Sequence, residues 1–466
     1  MKVAKIKTWG TTVIAVFVVA VAIAIIGAYF RQLRPKVLIV GVDYVPFDFL
    51  MRTSQDDRWP TLNKIMREGT HGRMKVVLPV NKESEWNTAL TGVNPGKHGV
   101  FAARRGWRKS ATGYELTQVC GESKTPLLNK LLTRDGGESF FTWIPFPNIG
   151  MADSIGYATT MTTDFPGSRI QEMSIVREAY RRPMTKIVCL FWYPRNDLSE
   201  FPHSDTSSVC ANLRDQHFND VLQMLSVNDL LLIVSTRLER GCDRFVNVND
   251  MLSELGESLD GFVIRPWSTY GAYFELCPVN GDKNDIPADV LLDVRKKLAE
   301  QIRNYKLPGE TESPFASVHT ANELYQGPYA RSGPDVVAIP KEGYYASASR
   351  PTGFEKTSKD VGSTEIPEGF YIAYGGPIAK GKTADAWIGD IAPTILYLLG
   401  QPIPGYMDGD VIRGAISDDY LKSHPIRRTD EKLPDAPNVI EIDSGFQERQ
   451  LRDAGYLGGA RQENKE

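Results

Sequence analysis

The stretch ESEWNTALTGVNPGKHG, Glu83 to Gly99, sets Thr88 at the start of what reads as a helix, just ahead of a turn punctuated by Gly and Pro. A helix N-terminus offers free N–H groups and a favourable dipole to an anion, so this placement can present a hydroxyl to a phosphate. The same pattern also fits Thr88 as a helix N-terminal cap. A hydroxyl is a weak nucleophile until a base or a metal ion activates it, so Thr88 needs partners. Three candidates stand beside apolar runs elsewhere in the chain: Asp43, Asp197 and the Thr236–Arg237 pair.

Those runs indicate the elements that must position them. PKVLIVGVD, residues 35–43, KIVCLFWY, residues 186–193, and DLLLIVST, residues 229–236, read as strands buried on both faces of a parallel sheet. TLNKIMREG, residues 61–69, reads as a short helix ended by Gly, and residues 212–225 as a second helix between two of the strands. Strand–helix–strand alternation predicts a doubly wound α/β sheet. In such sheets ligands sit beyond the carboxyl ends of the strands, where Asp43, Asp197 and Thr236–Arg237 all fall. Residues 264–333 break this rhythm and read as a smaller α+β insertion, with an amphipathic helix in ADVLLDVRKKLAEQIRNY. The main sheet then resumes with DVVAIP and EGFYIAYGG, within a second core part spanning 334–416, and WIGDIAPTILYLLG reads as a closing helix. From 417 to 466 the chain reads as a charged, extended tail.

A net charge of −3 gives no reason to expect nucleic acid as a partner. The five cysteines form no CxxC pair, which disfavours a zinc ribbon or a redox motif. Residues 8–30 carry no charge and are almost wholly apolar, long enough to span a bilayer. Residues 1–34 are therefore expected to form an uncleaved signal anchor, a single transmembrane helix, with the bulk of the chain from residue 35 onward outside the cytoplasm. A long cleaved signal peptide is the alternative.

The motifs KVLIVGVD, EWNTALTGVNPGKHGVF, TPLLNKLL, NELYQGPYARSGPDVVAIPKEGY, PEGFYIAYGGPI and IGDIAPTILYLLGQPIPGYMDGDVI run in order from about residue 36 to 412. In this the chain resembles the type I phosphodiesterase/nucleotide pyrophosphatase group of the alkaline phosphatase superfamily. The resemblance implies an alkaline-phosphatase-like, mostly parallel sheet with helices on both faces. It also implies two metal ions, commonly zinc, that polarise phosphoryl oxygens and activate a Thr or Ser nucleophile. On that pattern Thr88 falls at the nucleophile position, while Asp43 and Asp197 match one aspartate of each metal site. The other ligands do not match. Phe201 stands where a His is expected four residues after Asp197, Thr236–Arg237 where an Asp–His pair is expected, and Thr364 where the final His is expected. RFVNVNDMLSELG echoes the family sequence downstream of the missing pair, so the register holds.

Two carboxylates and a hydroxyl do not suffice for two divalent ions, and Arg237 adds a positive charge where a metal would sit. A guanidinium pairs well with carboxylates, so Arg237 is expected to replace an ion structurally, with Asp43 as its partner. Among the six histidines, His203 is the candidate for a displaced ligand; His98 reads as part of the NPGKHG turn, and His71, His217, His319 and His424 as structural or surface residues. The leading expectation is a membrane-anchored protein of this fold that has lost catalysis and binds or scaffolds protein partners in a membrane assembly, without a cofactor. The alternatives are an active hydrolase or transferase using Thr88 with one or two divalent metals, and a module that binds a phosphate- or sulfate-bearing ligand through Arg237 without turnover.

Overall fold

The computed structural model describes residues 35–42, 45, 47–101, 103–110, 113–120, 123–134, 136–141, 169–191, 215–268, 271–353 and 362–433. The expected anchor over 1–34, Asp43, Asp197, Phe201 and His203 lie outside them. Among the described residues, no helix is long and apolar enough to cross a membrane.

In chain order the two main sheets use β1 (Val37–Gly41), β2 (Thr70–Lys75), β3 (Glu138–Phe141), β4 (Thr185–Phe191), β5 (Leu230–Ser235), β6 (Ser258–Leu259), β7 (Phe262–Pro266), β8 (Ala272–Pro278), β9 (Phe315–Thr320), β10 (Val336–Pro340), β11 (Glu368–Gly375) and β12 (Lys382–Thr383). The helices that matter here are α1 (Pro60–Glu68), α2 (Lys82–Thr91), α3 (Arg169–Arg181), α4 (Asp215–Leu222), α5 (Ala288–Asn304) and α6 (Ile391–Leu398).

The first sheet runs β12-β2-β11-β5-β1-β4-β3, with Ala386–Trp387 also pairing β2. β1 lies between β4 and β5, parallel to both, and β3 is parallel to β4. The antiparallel member is β11, set between β2 and β5. Every residue of β1 and β5 is buried, as expected for apolar runs covered on both faces. Leu38 and Val40 pack on one side against Leu62 and Ile65 of α1, Val176 and Tyr180 of α3, and Phe218 and Val221 of α4. This is the expected α/β architecture, with the three sequence-read strands side by side.

Two expectations change. DVVAIP does not return to the main sheet: β10 pairs antiparallel with β8 and β9 in a second sheet ordered β6-β7-β8-β10-β9. An apolar run marks a buried strand but not which sheet buries it. Here the deciding contacts come from α5, whose Leu291, Val294 and Leu298 close over Phe274, Val336 and Ala338. The buried Asp335, just before β10, fixes the arrangement by accepting from Leu276 N at 2.7 Å, Arg295 Nε at 2.8 Å and Lys283 Nζ at 2.6 Å. A buried carboxylate is tolerable only with partners of this kind. The tail also begins later than the charge pattern suggests. Residues 418–423 form a helix, and Arg428 bridges to Ile403, so the chain remains packed to the end of the described residues.

Candidate functional site

Asn81 determines where α2 begins. Its backbone is extended and its side chain accepts from Ser84 N at 2.8 Å, satisfying one of the free N–H groups of the first turn. Thr88 is therefore neither the cap nor at the N-terminus; it stands nearly two turns into the helix. The N-terminus carries Glu83 and Glu85, whose charges favour the helix dipole but oppose an incoming anion.

From Glu83 to Thr91 every residue of α2 is buried, although most are polar. Burial on this scale requires internal partners, and the side chains supply them by bonding back one turn. Asn87 Nδ2 donates to Glu83 O at 2.7 Å, Thr88 Oγ1 to Ser84 O at 2.9 Å, and Thr91 Oγ1 to Asn87 O at 2.6 Å. Thr88 Oγ1 also lies 2.9 Å from His98 Nε2. Val100 N donates to His98 Nδ1 at 3.1 Å, which assigns the ring proton to Nε2. Burial pushes the His98 imidazole down to about 3, so the ring is neutral near pH 7. The Thr88 hydroxyl thus accepts a hydrogen bond from His98 and gives its own proton to a carbonyl. His98 in this tautomer has no free lone pair with which to draw that proton away.

One turn earlier on the same helix, Glu85 is fully buried and meets the chain just beyond β5. Thr236 Oγ1 donates to Glu85 Oε2 at 2.7 Å, and Arg237 Nη2 lies 2.9 Å from the same oxygen in an ion pair. Arg237 is itself 2 % exposed, so neither charge is hydrated. Each charge offsets part of the cost of burying the other in a medium of low polarity. The described carboxylate beside Arg237 is Glu85; Asp43, the partner expected from sequence, lies outside the described residues.

The two most distinctive motifs meet each other. Gly92 ends α2 at φ 70°, a left-handed conformation that favours glycine, and its carbonyl accepts from Asp408 N and Gly409 N. Asn94 N and Nδ2 donate to Asp408 Oδ2, while Lys97 Nζ pairs with Asp408 Oδ1 and donates to Tyr406 O at 3.0 Å. TGVNPGKHG and MDGD are therefore two halves of one clasp that holds α2 in place.

Of the site residues read from sequence, the structure brings Thr236 and Arg237 onto α2 and places Thr88 deeper along it. Thr364 is half-buried in the strand Gly362–Ile366, opposite Arg240 in the ladder that continues from Arg237. Val42, which precedes Asp43, donates to Val234 O at 2.8 Å. Sequence reasoning missed Asn81 as the cap, Glu85 as the anion and the His98–Thr88 bond. Asn81 followed by two glutamates in the next four residues is a legible helix start; nothing in the sequence marked Glu85 as buried.

A metal centre needs electron-pair donors; Asp43 and Asp197, two of those expected, lie outside the described residues. Arg237 has only N–H donors, and Glu85 is already engaged by Arg237 and Thr236. Among the described residues no group of three or more His, Cys, Asp or Glu side chains could hold a metal ion.

Thr236 and Arg237, just beyond the carboxyl end of β5 in a mostly parallel sheet, lie against the helix of a TG-x-x-P-x-x-HG motif. The sequence model of the family described as type I phosphodiesterase/nucleotide pyrophosphatase matches residues 37–123, bearing out the resemblance over β1, α2 and the following turn. No curated protein sequence matches. Among solved structures, murine ectonucleotide pyrophosphatase/phosphodiesterase 5, in an inactive form complexed with AMP, aligns with a TM-score of 0.55 at 16% identity, over 79% of this chain and 95% of its own. The human protein of that name aligns with a TM-score of 0.54 at 16% identity, over 84% of this chain and 99% of its own. At such identity the likeness is one of fold.

Replacing Arg237 by Met removes the guanidinium from the buried Glu85 carboxylate, and is expected to cost about 3–5 kcal/mol in urea unfolding. Adding Glu85→Leu to that variant should recover at least half of the loss. For His98, the unfolded chain takes up a proton near pH 6.5 while the folded protein resists it down to about pH 3. Stability from this source is therefore flat above pH 6.5 and falls below it. Between pH 7.5 and 5 the wild type should lose about 2 kcal/mol more than His98→Asn, as measured by denaturant unfolding at both values.

Proposed function

We propose that this chain is a membrane-anchored protein of phosphodiesterase fold that does not catalyse phosphoryl transfer and serves as a binding or scaffolding subunit of a membrane assembly. The observation that carries the reading is the buried Glu85–Arg237 pair, closed by the Thr236 hydroxyl, at the position where the family places metal ligands. A fixed guanidinium supplies the positive charge that orders the loop after β5, but it cannot lower the pKa of a hydroxyl as a bound metal can. The bonding of Thr88 points the same way, since its proton and one of its two lone pairs are committed inside the protein.

The competing reading is an active hydrolase or transferase with Thr88 as nucleophile and a metal site rebuilt around Asp43 and Asp197. A third reading makes the site a receptor for phosphate or sulfate groups. It is disfavoured because the charge of Arg237 is opposed by Glu85 at 2.9 Å, and because two glutamates occupy the first turn of α2.

Purified protein supplied with zinc should show no turnover of a chromogenic phosphodiester above that of Thr88→Ala, and should retain less than one metal equivalent in elemental analysis. Two bound zinc ions, with turnover that disappears in Thr88→Ala, would establish the hydrolase instead. Calorimetry with AMP, the nucleotide bound by the inactive murine protein, should register no heat that Arg237→Ala abolishes.

A further inference from the structure

The amino-terminal ends of the central strands form one edge of the main sheet, opposite the Glu85–Arg237 site. We propose that this edge is apposed to the anionic lipid headgroups of the bilayer holding residues 1–34, so that the site faces away from the membrane. The inference rests on the anchor in the preceding reading and adds an orientation and a lipid-contacting surface.

The tether is the first argument. Phe30, the last residue of the uncharged run, is six positions from Lys36, which immediately precedes β1. Six residues span at most about 20 Å, even fully extended. Because β1 is the central strand, the middle of this edge is held near the membrane surface.

The chemistry of the edge is the second argument. Beside Lys36 lies the turn before β5, joined to it by Leu230 N donating to Lys36 O, and at the tip of that turn Val227 is 90% exposed. On the other side, Lys36 Nζ donates to Tyr180 O and Arg182 O, bringing in the end of α3. There Arg181 and Pro183 are exposed, and Arg182 and Met184 half-buried. An exposed apolar tip among cationic side chains suits the boundary between headgroups and acyl chains. Glu178 of α3 is an exposed acid nearby, while two other acids are withdrawn. Asp229 is buried and engaged by Lys36 N, Tyr180 Oη and Ser226 N, and Glu138 is half-buried two strands away.

The test uses the full chain in vesicles of phosphatidylcholine and phosphatidylglycerol containing a nitroxide-headgroup lipid. With Cys120, Cys210 and Cys277 replaced by Ser, a bimane label is placed at Val227→Cys or at Asp57→Cys. Asp57 is exposed in the turn before α1, and the N-termini of α1 and α4 meet at the opposite edge through Thr61 N and Asp215. Quenching should be several-fold stronger at position 227 than at 57. It should weaken when phosphatidylglycerol is omitted, and in Arg181→Glu/Arg182→Glu, since each basic side chain near an anionic leaflet strengthens the attraction on the order of fivefold. A chain that floats with the vesicles but quenches equally at both positions, or more at 57, overturns the apposed edge alone. A chain that does not float overturns the anchor and the proposal together.

Discussion

A carboxylate and a guanidinium buried against each other set the character of this protein. Glu85 and Arg237 are far apart in sequence and come from different elements, yet each helps to offset the cost of burying the other. The pair ties α2 to the loop leaving β5, beyond the carboxyl end of a central strand of the sheet. In the reading proposed here, covalent positive charge has taken over the structural duty of an ion. It holds the loop and neutralises the carboxylate without creating an electrophile.

That substitution makes sense of the surrounding polar interior. α2 is buried on all sides, and its polar side chains turn back on their own helix. The His98–Thr88–Ser84 chain and the clasp between Asn94, Lys97 and Asp408 lock its far end. These contacts account for a motif that remains close to the family pattern even though its threonine is committed to internal hydrogen bonds. TGVNPGKHG builds the joint between α2 and the segment carrying MDGD, and that joint is needed whether or not the protein turns over a substrate.

Much of this architecture was legible in the sequence. The runs that became β1, β4 and β5 could hardly lie anywhere but in a covered parallel sheet, and the carboxyl ends of such strands locate a site without further information. The placement of Thr236 and Arg237 just beyond the end of β5 was equally readable. The partner of Arg237 was not. Glu85 sits in a stretch whose composition suggests a solvated helix, and its burial results from packing among α2, α6 and the clasp, which no local pattern encodes. Thr88 lies deeper in α2 than its motif suggests because the helix begins at the Asn81 cap. β10 was assigned to the wrong sheet because apolar strands of either sheet look alike until α5 is seen to cover one of them.

If a built-in ion pair stands where metal ions would otherwise hold this fold together, zinc has no stabilising role to play. A ligand that binds only the folded state raises its stability in proportion to the logarithm of the ligand concentration. The most direct measurement is therefore the thermal unfolding midpoint of the wild-type protein across a zinc titration, beginning from chelator-treated material. The account predicts a midpoint unchanged by chelator or by zinc. A midpoint that falls on chelation and climbs steadily with added zinc would contradict it.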